Sequence, residues 1–181
     1  LGAQRKYELA NSITIHGLSR DNLTILDYEL LGDGFYSWDK ELLSKVILRH
    51  IQMLDVDTVV TFDEQGVSSH PNHIGCFRAL QYLYTNGMIP AGVQVFILET
   101  VPKWRKYVIP LDAIISSWHS TFLYISSPSQ YITTWRAMLA HRTQLRWFRY
   151  LYMLFSRYIL INTLKRIHEQ PRRPVLKKKT L

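Results

Sequence analysis

The sequence is short of cysteine and of long apolar runs. Cys76 is its single cysteine, so an intramolecular disulfide and a cysteine-based zinc site are both excluded, and a reducing, cytosol-facing environment is favoured. No run approaches the roughly 20 consecutive apolar residues that a membrane-spanning helix needs, and the first residues show no secretory signal pattern. Membrane contact by this chain is therefore predicted to be peripheral, unless an anchor precedes Leu1.

Acidic residues are also scarce. The chain has 22 lysines and arginines against 14 aspartates and glutamates, which gives a net charge of +8. This balance favours an anionic partner such as nucleic acid, a phosphoinositide or an anionic membrane surface. Nucleic-acid binding rests on charge alone, because the aromatic residues of the basic C-terminal region fall mainly opposite its arginines. No nucleic-acid partner is predicted.

The length of 181 residues, with 47% hydrophobic composition, suits one domain with a buried core. We predict a domain over residues 1–165 and a disordered, basic tail over 166–181. Lys178 and Lys179 occupy the positions of a dilysine retrieval signal, which a solvated basic tail would also explain. Because Leu1 is not methionine and helix-like sequence follows at once, the chain is expected to begin inside a domain.

Strand-like and helix-like patterns alternate along the chain. Strands are predicted at 56–63, which has the character of a strand buried on both faces, at 93–99 and at 121–125. Helices are predicted at 3–17, 39–53 and 72–84, with a short β-rich run at 23–27. The alternation predicts a Rossmann-like, three-layer α/β fold with a mostly parallel sheet, in which ligands bind beyond the carboxyl ends of the strands.

Residues 129–164 have a helical pattern that a loop or bend could divide. On a helical wheel, four arginines lie on one side and apolar side chains on the other, which predicts an amphipathic helix at the end of the domain. The arginines are Arg142, Arg146, Arg149 and Arg157. They either form a solvated face or face lipid headgroups, with Trp147, Phe148 and Tyr152 as anchors at the domain or bilayer boundary.

The segment 61–73 is the sharpest local motif, because it sets two histidines and two carboxylates at a strand's end. Pro71 suits the first position of a helix, which would hold His70 and His73 close together. One imidazole could then bind a metal while the other contacts a substrate. The alternative is a helix cap plus a surface histidine, and Asp63 could equally cap loop amides.

Three parts of the sequence resemble the N-acetylglucosaminyl-phosphatidylinositol de-N-acetylase family. Residues 59–73 are similar to its second conserved block, and residues 141–164 are similar to the C-terminal signature of its eukaryotic members. Arg5 and Glu8 fit the family's R-x-x-E-L helix, and Asp33 with Trp38-Asp39 fits the following loop. The family's early A-H-P-D-D block has no counterpart here.

The resemblance implies a role for each matching residue. His73 would be a metal ligand, and His70 would contact the acetamide oxygen or protonate the departing amine. Arg5, with Asp33, would contact the polar headgroup of the substrate. Asp63 and His141 would support the site, with a structural hydrogen bond favoured for His141.

The resemblance also implies zinc-dependent hydrolysis of the acetamide of N-acetylglucosaminyl-phosphatidylinositol, in glycosylphosphatidylinositol anchor synthesis at the cytosolic face of the endoplasmic reticulum membrane. A zinc ion supplies an activated water and stabilises the oxyanion. With the early block missing, the Zn²⁺ site is incomplete, so the chain alone is expected to be inactive. The alternative is a non-catalytic product that binds lipid headgroups or a protein partner.

Overall fold

The computed structural model describes residues 2–102 and 122–167. The chain divides into two compact units, and both are discontinuous in sequence. The first unit comprises residues 1–33 and 98–165, and the second comprises residues 34–97 and 166–181. The predicted disordered tail and the dilysine positions lie outside the described residues, apart from residues 166 and 167.

The second unit contains alternating helices and strands, as predicted. Its elements are α2 (Lys40–Met53), β1 (Thr58–Phe62), the short α3 (Gly66–Ser69), α4 (Pro71–Thr85) and β2 (Gln94–Leu98). Asp39 begins α2, because its Oδ1 accepts a hydrogen bond from the Leu42 amide at 2.7 Å. The strands β1 and β2 are neighbours in the sheet.

The core of the second unit lies between its helices and strands. Four buried residues form it: Ile51, Leu80, Leu83 and Val95. The strand β1 contributes less to this core than its β-branched sequence suggested, since Val60 is 58% exposed. The prediction that β1 is buried on both faces is therefore wrong, although the strand itself is confirmed.

The first unit contains α1 (Gly2–Ile15), β3 (Phe122–Ile125), α5 (Pro128–Leu139), α6 (Trp147–Phe155) and β4 (Ile161–Arg166), with 3₁₀ turns between them. The strands β3 and β4 pair antiparallel, with Phe122 opposite Leu164 and Ile125 opposite Ile161. Gly17 has φ +81°, a left-handed conformation that stops α1 as its sequence indicated. The fold class is α/β, as predicted, and its mixed sheet includes the antiparallel pair.

The long helix predicted over 129–164 is wrong in its second half. The helix α5 ends at Leu139, α6 covers 147–155, and residues 161–166 form β4. The arginine stripe does not exist as a helical face, because of its four members only Arg149 lies within α6. Arg157 is fully buried, and its guanidinium lies 3.5 Å from the Thr163 hydroxyl.

The β-rich run at 23–27 does not form a strand. It connects two 3₁₀ turns, Arg20–Asn22 and Glu29–Leu31, and the Asp27 carboxylate pairs with Lys6 of α1. Ser19 begins the first turn with a capping box that uses Asn22. Local side-chain hydrogen bonds therefore outweigh the strand propensity of Leu23 and its neighbours.

Among the residues that the model describes, no helix combines the length and apolarity needed to cross a membrane.

Candidate functional site

A strained loop joins β1 to α4 in the second unit. Gly66, Val67 and Ser69 all have positive φ angles, of 57°, 61° and 60°. For a β-branched residue such as Val67 this conformation is rare and costs free energy, so surrounding contacts must hold it. The Asp63 carboxylate supplies two of them, because its Oδ1 accepts hydrogen bonds from the amides of Gln65 and Gly66 at 3.1 and 2.9 Å. This is the loop-capping role that the sequence left open for Asp63.

The loop fixes the ring of His73. The Nδ1–H of His73 donates to the carbonyl oxygen of Gly66 at 3.0 Å, and Phe62 stacks on the ring with centroids 4.0 Å apart and planes 7° apart. A carbonyl oxygen only accepts, so the hydrogen of the neutral ring lies on Nδ1. The lone pair on Nε2 is left to accept a proton or bind a metal.

His70 has the opposite arrangement. It is the N-cap residue of α4, and its Nδ1 accepts a hydrogen bond from the Asn72 amide at 3.3 Å, with Pro71 in the first helical turn as predicted. Because Nδ1 accepts, the hydrogen of the neutral ring lies on Nε2, which becomes a donor. Phe35 contacts the imidazole edge to face, with centroids 5.6 Å apart.

The two imidazoles lie side by side, with ring centroids 5.1 Å apart. One offers an Nε2–H donor and the other an Nε2 lone pair, so together they can contact a polar group with donor and acceptor functions. A helix cap alone explains the hydrogen bond that the Nδ1 of His70 accepts. It does not account for the hydrogen bond that orients His73.

Three further predicted site residues lie in the first unit. Arg5 and Asp33 form an ion pair at 3.5 Å, and both side chains are largely exposed. The Nδ1 of His141 lies 3.5 Å from the side-chain Nε2 of Gln144, a hydrogen bond within the turn.

Glu8 ties α1 to the turn that follows α5. Its buried carboxylate accepts hydrogen bonds from the Thr143 amide at 2.9 Å and the Thr143 hydroxyl at 2.7 Å. Burial alone would raise the pKa of this carboxyl, but the hydrogen bonds from Thr143 and Gln4 and the nearby His141 lower it below its ordinary value. The contact between Glu8 and Thr143 thereby joins two of the segments that resemble the family, one around Glu8 and one around His141.

Sequence reasoning missed two supports of the histidines, Phe62 and Phe35. Phe62 is the last residue of β1 and directly precedes the loop, and that position was a usable signal for packing beside it. Phe35 gave no signal, since nothing in a linear sequence relates it to His70. Gly66 belongs to the 61–73 motif, but its φ and its carbonyl contact with His73 required the structure.

The described residues do not fit a complete zinc site. They contain no group of three histidine, cysteine, aspartate or glutamate side chains able to hold a metal ion. A catalytic zinc commonly has three protein ligands, whereas here only the Nε2 of His73 is oriented as one.

Comparison with known proteins gives a consistent result. A family model described as GlcNAc-PI de-N-acetylase matches residues 1–84. The bovine (Bos taurus) N-acetylglucosaminyl-phosphatidylinositol de-N-acetylase is 38% identical over 165 residues, which cover 90% of this chain and 65% of the bovine protein. The chain thus spans slightly less than two thirds of that relative's length.

Two further relatives are described as probable N-acetylglucosaminyl-phosphatidylinositol de-N-acetylases. The one from Dictyostelium discoideum is 32% identical, covering 91% of this chain and 76% of the relative. The one from Schizosaccharomyces pombe is 30% identical, covering 92% of this chain and 69% of the relative.

Proposed function

Because the chain belongs to the N-acetylglucosaminyl-phosphatidylinositol de-N-acetylase family, we propose that it forms part of an enzyme that hydrolyses the acetamide of N-acetylglucosaminyl-phosphatidylinositol. The products are glucosaminyl-phosphatidylinositol and acetate. Water adds its oxygen to the acetyl carbon, the C–N bond breaks, and the amine gains a proton. The reaction belongs to glycosylphosphatidylinositol anchor synthesis, at the cytosolic face of the endoplasmic reticulum membrane.

The complementary histidine pair carries this proposal. With its Nδ1 accepting from Asn72, His70 presents an Nε2–H that can donate to the acetamide oxygen as negative charge develops there. This role needs no change in the ring's protonation, whereas protonating the amine requires the hydrogen to leave Nε2. We therefore favour the oxygen contact over proton transfer for His70.

His73 is proposed as one ligand of the divalent metal, with zinc as the expected ion. Its Nδ1–H bond to Gly66 is the kind of second contact that orients metal-binding histidines. Among the described residues only His73 is oriented as a ligand, and a single histidine holds zinc weakly, so the 181-residue chain alone is expected to release little or no acetate. Asp63 accepts hydrogen bonds from the amides of the loop that precedes both histidines, and so supports that loop.

Arg5 is proposed to contact the phosphate or another polar group of the substrate headgroup. In its ion pair with Asp33, the Arg5 side chain is 48% exposed and the Asp33 side chain is 78% exposed. Solvent therefore weakens the attraction, and an anionic ligand can compete for the guanidinium. Asp33 would then hold Arg5 in place between substrates. His141 is assigned no contact with the substrate.

The test measures acetate release from N-acetylglucosaminyl-phosphatidylinositol by the protein that the full transcript encodes, with and without zinc. His70→Ala should lower the rate by about 10²–10³-fold, as loss of an oxyanion donor does. His73→Ala should abolish the zinc-dependent rate. His16→Ala is the matched control, since His16 is exposed and outside the motif. Unchanged rates in both motif variants would contradict the proposal.

A non-catalytic role is the second candidate, and the lack of a three-ligand group among the described residues favours it. Under that role, the protein that the full transcript encodes would be a truncated product that binds vesicles containing the glycolipid and releases no acetate at any zinc concentration. Binding and acetate release are measured on the same samples, so the two roles give different results.

A further inference from the structure

The helix α6 exposes nearly all of its apolar side chains. Trp147 is 76% exposed, and six further large apolar residues are between 37% and 52% exposed: Phe148, Tyr150, Leu151, Tyr152, Leu154 and Phe155. Met153 is the one buried residue of the helix. A surface helix in water normally presents polar residues on this side, and contiguous apolar patches mark interaction sites.

The exposed apolar side chains form one continuous arc around α6, with a tyrosine at each margin. At about 100° per residue, Leu151 and Phe155 point away from Met153, and the apolar arc spans about 200°. Tyr150 and Tyr152 lie at its two margins. A tyrosine at such a margin places its ring among apolar groups and its hydroxyl in a polar layer, which is the arrangement of side chains at a lipid–water boundary.

The sequence around α6 carries charge of one sign. The sequence from 113 to 168 contains no aspartate or glutamate. Arg142, Arg146 and Arg149 are exposed at the start of α6 or just before it. Exposed cations beside an apolar face favour anionic phospholipid headgroups.

We propose that α6 lies in the headgroup layer of an anionic bilayer, with its apolar arc among the first acyl carbons and its arginines beside lipid phosphates. Nine residues of helix extend about 13 Å, against about 30 Å for the hydrocarbon core, so the helix lies along the surface. The arginine stripe expected from the sequence is replaced by an aromatic and aliphatic face.

Two other occupants are less suited to this face. A second copy of the chain would bring the same exposed arginines against each other, which like-charge repulsion opposes. Residues 103–121 contain Lys103, Arg105 and Lys106 against one aspartate, Asp112, so their charge does not complement the arginines either. An anionic lipid surface matches both the charge and the chemistry of the arc.

Flotation of the full chain with vesicles tests the proposal. The chain should bind vesicles of phosphatidylcholine with phosphatidylserine, and Leu151→Glu/Phe155→Glu should reduce partitioning by roughly tenfold or more. Leu30→Glu/Leu54→Glu is the matched control, since those leucines are 75% and 56% exposed but lie outside α6. Circular dichroism checks that both variants fold.

A second variant tests the charge without altering the apolar arc. Arg146→Ala/Arg149→Ala should weaken binding to the anionic vesicles and reduce its dependence on salt. Absent binding by the wild-type chain, or unchanged binding by Leu151→Glu/Phe155→Glu, would overturn the proposal. Two further results would overturn it. One is a dimer that dissociates in that variant while the wild-type chain binds no vesicles, and the other is α6 amides that residues 103–121 protect from hydrogen exchange. No turnover is measured, so this result is independent of the proposed hydrolysis.

Discussion

At the scale of single residues, Gly66 and His73 depend on each other. A Cβ on Gly66 would lie 2.9 Å from the Cβ of His73 and 3.2 Å from the Ile74 amide nitrogen, at a backbone φ of +57°. The glycine therefore permits both the turn and the close approach that brings its carbonyl to the imidazole. Any other residue must move His73 or the backbone of α4.

Gly66→Ala should destabilise the chain by more than the left-handed conformation alone, which costs an alanine about 1–2 kcal/mol. Gly92→Ala is the control, since Gly92 has φ +90° and nothing within 4 Å of the added Cβ. The free energies of unfolding of both variants are compared by urea titration. Equal losses would show that the contact between Gly66 and His73 adds nothing.

The buried Glu8 makes stability depend on pH. Its pKa is lowered in the folded chain, so at pH values above its ordinary pKa of 4.5 the carboxylate stabilises the fold. This contribution is lost as pH falls through the lowered pKa. The unfolding free energy of Glu8→Gln should therefore lie below that of the wild type at pH 7, and the difference should narrow in acid. Exposed Glu29 provides the control Glu29→Gln, which should show little difference at either pH.

Much of the candidate site could be predicted at this scale. Pro71 after a strand-end loop was enough to place both histidines at the start of a helix, because proline suits the first turn. The hydrogen-bond roles of their rings could not be predicted. They depend on the Gly66 carbonyl and the Asn72 amide, and the loop between them has positive φ angles that residue type alone does not specify for Val67 and Ser69.

At the scale of secondary structure, helix starts followed their sequence signals closely. Asp39→Ala should cost about 1 kcal/mol of unfolding free energy, because the Leu42 amide loses its acceptor. Asp39→Asn should retain most of that stability. Lys45→Ala, at an exposed position within α2, is the control and should have little effect. A loss for Asp39→Asn as large as for Asp39→Ala would contradict the capping role.

Element type was harder to predict where local and distant interactions compete. Residues 161–164 follow a helical pattern, but they form β4 because pairing with β3 gives their amides and carbonyls partners. Residues 23–27 have strand propensity, but the flanking 3₁₀ turns and the Lys6–Asp27 pair hold them outside a sheet. In both cases the deciding partner lies elsewhere in the chain.

At the scale of the whole molecule, Cys76 can report unfolding. Burial raises the pKa of its thiol, and the residue is only partly accessible in α4. Alkylation by iodoacetamide at pH 8 should therefore be roughly tenfold or more slower than in the urea-unfolded chain. The labelling rate should rise over the same urea range in which helical circular dichroism is lost. A folded rate equal to the unfolded one would contradict this.

The family and the α/β class were predictable from sequence, because strand–loop–helix patterning and the histidine motif are local features. The division into two units was not, since each unit combines segments far apart in the chain, such as residues 1–33 with 98–165. The exposure of α6 was also hidden, because a wheel drawn through 142–159 assumed a continuous helix where the chain turns twice.

The stacking of Phe62 on His73 has a spectroscopic consequence. With the ring planes 7° apart and the centroids 4.0 Å apart, the carbon-bound protons of the imidazole lie over the face of the phenyl ring, where its ring current shields them. Their magnetic resonance signals should therefore lie upfield of the ordinary histidine range. A ligand that turns the ring of His73 away from Phe62 would return these signals to that range.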